Sequence, residues 1–173
     1  NFERATSRAE TINQFCRDYT SDFKDATDNH ATVNTTLGSE AKMKQGGYIK
    51  QEYHRKLTIP DQKTGYLPTT VKSALYFNET DQIKDIEVSL KITHPYVGDM
   101  RVVLTGPDGK GVVLHERKGG GAHDIDEKHT TGTVAGLKDF INKPARGNWT
   151  LSLTDEEEDD EGYLESWSIK LSF

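Results

Sequence analysis

Seven consecutive acidic residues, Asp155 to Glu161, stop at Gly162 and are followed five positions later by Trp167. Carboxylates crowded this closely repel one another, and a hard cation relieves the repulsion by taking six to eight oxygen ligands. Calcium is the ion that suits such a donor set. Asp155, Asp159 and Asp160 are the candidate ligands within the run, and Asp99 and Asp108 are the candidates to complete the shell from neighbouring loops. The competing reading is a solvated charged loop, the usual state of a charge run. The pattern is not an EF-hand, because the D-x-D-x-D-G spacing and its closing Glu are absent. Asp99, after Gly98, is also placed to bond the amides of its own turn.

Other chemistry finds weaker support. His94 follows an inward strand position and reads as a core histidine, with no catalytic partner visible in the sequence. His115, His123 and His129 lie in a Gly- and His-rich stretch that reads as a long loop over 115–132, and no zinc motif accompanies them. Gly119 to Gly121 lacks the Gly-Lys-[Ser/Thr] sequel of a phosphate loop. No Gly-x-Ser-x-Gly nucleophile turn occurs. The single cysteine, Cys16, falls on an apolar stripe and reads as a small hydrophobe. Asn34, Asn78 and Asn148 begin N-x-[ST] triplets, which carry little weight here.

The elements that must position these residues show two periods. Ser7 and Glu10 fit a capping box, and Ile12, Phe15, Cys16, Tyr19 and Phe23 recur at helical spacing, which predicts a helix over 7–24. A polar linker over 25–47 follows, with a short strand at 31–37. From Tyr48 the period becomes two: Leu57 and Ile59; Val71, Leu75 and Phe77; Ile86, Val88, Leu90 and Ile92; Met100, Val102 and Leu104; Val112 and Leu114. Gly106-Pro107-Asp108-Gly109 reads as a hairpin turn. A short strand is expected over 134–141. Trp149, Leu151 and Leu153 form one alternating strand, and Trp167, Ile169, Leu171 and Phe173 another. The acidic run is expected at the tip of a hairpin between them, with both indoles in the core. Short strands punctuated by turns predict an all-β sandwich or jelly roll with an N-terminal helical appendage.

Bulk properties narrow the class. The 173 residues amount to about one domain. Lys and Arg number 22 against 28 Asp and Glu, a net charge of −6, which argues against a nucleic-acid partner. No apolar run approaches the roughly 20 residues of a membrane span. The first residues lack the apolar segment of a signal peptide, so the chain reads as an excised or mature segment.

Several residues taken together resemble one family. They are Ile92, His94, Tyr96, Gly98, Asp99 and Met100; then Leu104, Gly106, Pro107, Asp108 and Gly109; then Gly147, Trp149 and Leu151; then Asp155, Asp160, Gly162, Leu164 and Trp167. Their order and spacing resemble the P domain, or P/Homo B domain, of proprotein convertases and secreted subtilisin-like proteases. The resemblance covers about 50–173, with Ile59 to Asp61 and Ile83 to Val88 fitting the opening strands. It implies a jelly-roll sandwich that is not itself catalytic and that stabilises or regulates a serine-protease domain in the same chain. It also implies the secretory pathway and a link to calcium. Residues 1–49 depart from the pattern and form a separate helix-plus-linker segment. The alternative is a calcium-dependent module that binds a substrate surface or carbohydrate; a stand-alone enzyme would need convergent titratable residues that the sequence does not offer.

Overall fold

The computed structural model describes residues 46–173. The expected helix over 7–24, the strand over 31–37 and Cys16 lie outside the described residues. Among the described residues, nine strands form two antiparallel sheets: β1 (Tyr48–Tyr53), β2 (Leu57–Ile59), β3 (Thr70–Phe77), β4 (Asp85–Thr93), β5 (Met100–Thr105), β6 (Gly111–Glu116), β7 (Ile125–Thr130), β8 (Gly147–Asp155) and β9 (Gly162–Ser172). One sheet runs β1-β9-β4-β7, with β2 also paired to β9, and the other runs β3-β8-β5-β6. The chain thus crosses repeatedly between layers, the connectivity of a jelly roll. The fold class expected from the alternating pattern is the one observed.

Alternation decides which face of each strand is dry. Ile86, Val88, Leu90 and Ile92 of β4 point into the core, as do Met100, Val102 and Leu104 of β5. Trp149 and Trp167 are 1% and 2% exposed. Burying a large apolar side chain contributes about 1.5–3 kcal/mol, so these rows supply most of the drive to form two layers. Each indole also satisfies its one donor: Trp149 Nε1 donates to the Ala145 carbonyl and Trp167 Nε1 to Ser73 Oγ. Phe140 meets Trp149 edge-on at 4.8 Å between ring centres.

Three local expectations need correction. The strands flanking the acidic run are not a hairpin: β8 pairs with β3 and β5, whereas β9 pairs with β1, β2 and β4. The run is therefore a crossover between layers. Both strands need one face in the same core, and facing one another from opposite sheets achieves that as well as pairing side by side. The stretch expected as a loop over 115–132 contains β7, an edge strand zipped onto β4 from Glu87–Thr130 to Ile92–Ile125. Only Ile125 and His129 of β7 are buried, too few to show an alternation in the sequence. The short strand expected over 134–141 is instead a 3-10 helix, Ala135–Phe140, which buries Leu137 and Phe140. Those two residues stand three apart, the repeat of that helix. By contrast, β5 and β6 do join through the expected tight turn, with Gly109 at φ 84°.

Candidate functional site

Two registers define the ends of the sandwich. Met100 opposes Asp155 at one end of the second sheet, and Phe77 opposes Gly147 at the other. The candidate residues sort between these ends. Asp99, Asp155, Asp159 and Asp160 share the first end. Asp108 lies beyond the other end of β5, where Lys143 Nζ pairs with its Oδ2 at 2.6 Å and the Lys110 amide donates to its Oδ1. Those contacts hold the Asp108 carboxyl below its usual value, the Lys143 bond first. Asp108 is not brought to the other four.

The acidic run is itself divided. Asp155 ends β8 in the inward register of Trp149, Leu151 and Leu153, and its carboxylate is fully buried. His94, just past the end of β4 in the inward register of Ile86 to Ile92, is equally buried in the facing sheet. The two meet with His94 Nε2 3.0 Å from Asp155 Oδ2. The Tyr96 amide donates to His94 Nδ1 at 3.1 Å, which leaves Nε2 as the nitrogen that carries the proton and donates to Asp155. Asp155 Oδ1 accepts the Glu157 amide at 3.2 Å, closing an Asx turn that sends the chain out into the acidic crossover. The main chain of His94 is fixed as well. Its amide donates to Asp124 Oδ1, and its carbonyl accepts the Asp124 amide.

Asp99 ends a 3-10 turn, Val97–Asp99, directly before β5. Its backbone carbonyl accepts the Glu156 amide at 3.0 Å, so the crossover is stitched beside it. The Gly-rich segment 119–121 packs on the same turn: a Cβ at Gly98 would lie 2.9 Å from the Gly120 Cα. Arg117 pairs at this end with Glu157 and with Glu156. Tyr96, Gly98, Asp99, Arg117, Gly120 and the carboxylates from Glu157 to Asp160 line a wide, open depression of about 610 Å³. Asp159 holds φ 83° at the outer part of the crossover.

Electrostatics at this end are strained in one direction. Burial pushes the Asp99 carboxyl up, and the negative charges of Asp155 and Glu157 push it further. Burial also raises Asp155, against which the His94 and Glu157 hydrogen bonds act only in part. A folded-state pKa above the unfolded value means that the ionised form costs folding free energy at neutral pH. The donor chemistry, all hard carboxylate oxygen, suits calcium. Among the described residues, no three Asp, Glu, His or Cys side chains stand closed around one point.

Two of the three histidines of the Gly-rich stretch, His115 and His129, are buried, whereas His123 is exposed. His115, on β6, donates from Nε2 to the Val97 carbonyl at 2.9 Å. His129, on β7, is buried, and its Nε2 lies 3.2 Å from Glu127 Oε2 without hydrogen-bond alignment. Burial therefore pulls the His129 imidazole below its ordinary 6.5, outweighing the pull of Glu127. The unfolded chain takes up this proton below about pH 6.5 while the folded chain resists it, so stability present above 6.5 declines as pH falls below that value. Urea titrations across that range should show the decline, and His129→Gln should flatten it; an unchanged slope in the variant would assign the effect elsewhere.

Curated proteins similar to this chain include the following three. A calcium-dependent protease of Trichormus variabilis is 39% identical over 103 residues, covering 58% of this chain and 16% of that protein. A calcium-dependent protease of a Nostoc species is 38% identical over 107 residues, covering 60% of this chain and again 16% of the relative. Leupeptin-inactivating enzyme 1 of Streptomyces exfoliatus is 35% identical over 83 residues, 48% of this chain and 17% of the relative. The chain thus matches a small part of each of these longer proteins. The model of the proprotein convertase P-domain matches residues 83–171, which span β4 through β9 and include both His94 and Asp155. The Gly98-Asp99 turn and the acidic crossover closing on Gly162 fall within that match, and the chain belongs to the proprotein convertase P-domain family.

Proposed function

We propose that this chain is the accessory domain of a larger, secreted subtilisin-like serine protease and that it performs no bond cleavage itself. Its task is to hold the catalytic domain folded. The observation that carries this reading is the family match over 83–171 in a chain that covers only 16% of the protease relatives. The buried groups agree with it: His94 and Asp155 are both sealed in the core and hydrogen-bonded within the protein, so neither is open to a substrate. A domain that binds only the folded form of its neighbour stabilises it by mass action. Deleting 46–173 from the full-length protease should lower the temperature of half-inactivation and the secreted yield. If neither changes, the accessory role is wrong.

The same reading extends to calcium, the ion in the names of two relatives. Asp99, Asp159 and Asp160 are the proposed ligands, with Asp155 behind them contributing charge while it bonds His94. The raised Asp99 carboxyl supports a cation at this end, since positive charge there offsets the cost of ionising it. Melting of the 173-residue chain should rise with calcium and fall back with a chelator, by about 2.7 kcal/mol of stability at a hundredfold excess over Kd. Asp99→Asn should remove most of that gain. A midpoint indifferent to both calcium and chelator rules the ion out at this end.

A further inference from the structure

The connection between β2 and β3 carries the two most exposed large apolar side chains among the described residues. Tyr66 is 74% exposed and Leu67 91% exposed. Neither packs on the core, so folding of this domain does not account for them. The segment is nonetheless firmly shaped. The Tyr66 amide donates to the Lys63 carbonyl at 3.0 Å, and Gly65 holds φ 80° at the third place of that turn, as a type II turn requires. Gln62 Nε2 donates to both the Tyr66 and Lys63 carbonyls. Pro68 limits the backbone immediately after Leu67. Thr64 Oγ1 donates to the Glu158 carboxylate, which ties the turn to the acidic crossover. A preshaped apolar pair costs little ordering when it is buried against another surface.

The geometry points to Tyr66 and Leu67 as an apolar plug that docks this domain on the catalytic domain of its own protease, in a recess with a basic rim. This rests on the accessory reading above, and it names the surface through which that role is exerted. The choice of partner follows from how little of the relatives this chain covers: most of such a protein lies outside the 173 residues and is tethered to them. The sign of the rim follows from charge. Glu158 is bonded into the same turn and is not among the proposed calcium ligands, so a partner surface meeting the plug faces a carboxylate. Cations around an apolar recess complement that arrangement, and like charges oppose it.

The test uses the full-length protease and the 173-residue chain in parallel. Tyr66→Ser combined with Leu67→Ser should leave melting of the 173-residue chain unchanged, because both side chains are already in water. In the full-length protease the same pair should lower the temperature of half-inactivation by about half or more of the shift caused by deleting the domain, since a few central residues dominate an interface. Leu67→Lys should lower it further than Leu67→Glu, because only the lysine meets a basic rim with like charge. If deletion lowers the midpoint but the serine pair does not, the plug is refuted and the accessory role stands. If neither lowers it, both fall together. If Leu67→Glu is the worse of the two charged variants, the assigned rim is wrong.

Discussion

Replacing His94 with alanine should destabilise the folded chain by about 3 kcal/mol or more, the range found when one member of a buried polar pair is removed. The loss has two parts. A fully buried Asp155 carboxylate would keep only the Glu157 amide as a hydrogen-bond partner. The Tyr96 amide would also lose its acceptor, His94 Nδ1. For a domain of this size the change corresponds to a fall of roughly 10 °C in melting temperature. Asp155→Asn should cost less than His94→Ala. The amide has one acceptor oxygen where the carboxylate used two, but it leaves no charge in the core. Urea unfolding of the three proteins measures this directly. A His94→Ala variant within experimental error of the parent would show that the pair does not close this end of the sandwich.

The second large effect falls on Gly162. Here the glycine is required by space, not by φ: a Cβ would lie 2.4 Å from His94 Cδ2 and 2.8 Å from the Thr93 carbonyl oxygen. The imidazole has no room to yield, because one nitrogen is held by Asp155 and the other by the Tyr96 amide. Gly162 is also fixed from its other side, where it pairs with Ile59 at the start of β9. Gly162→Ala should therefore cost about 2–3 kcal/mol, at the upper end of overpacking effects. The same substitution should cost less in the His94→Ala background, because the nearer of the two obstacles has gone. Residues in contact couple in this way, whereas strictly additive losses would separate the glycine from the histidine.

The packing around His94 explains why the acidic run ends as it does. The first residue of the run turns inward to His94, and the glycine that follows the run makes room for the same ring. Between them, only Glu156 to Glu161 travel through the crossover. A charged stretch that looks uniform in sequence is thus anchored at both ends on one buried histidine, and the middle is left to face Arg117 and the open depression beside Asp99.

Much of this was legible beforehand. The alternation in β4, β5, β8 and β9 named the dry face of each strand, and Gly106 to Gly109 marked the turn between β5 and β6. The family resemblance over the later strands matched the comparison with known proteins. His94 and Asp155 also carried a usable signal, because each extends an inward row by one further step: 86, 88, 90, 92, 94 and 149, 151, 153, 155. Reading Asp155 as part of an exposed run hid it. Other features left little trace. Strand β7 buries only two side chains, and the 3-10 helix Ala135–Phe140 spans too few residues to display a period. Tyr66 and Leu67 resemble any apolar pair until their exposure is known.

What the order of residues determined alone was local: strand direction, the face each side chain takes, and the places where the chain turns. Those follow from a two-residue repeat and from backbone sterics, both short-range. Only the tertiary structure decided partnership, because pairing across 61 positions of chain, as between His94 and Asp155, depends on which sheet each strand joins. That choice set β8 and β9 in facing layers, brought two inward polar groups together at one end, and sent Asp108 to the other.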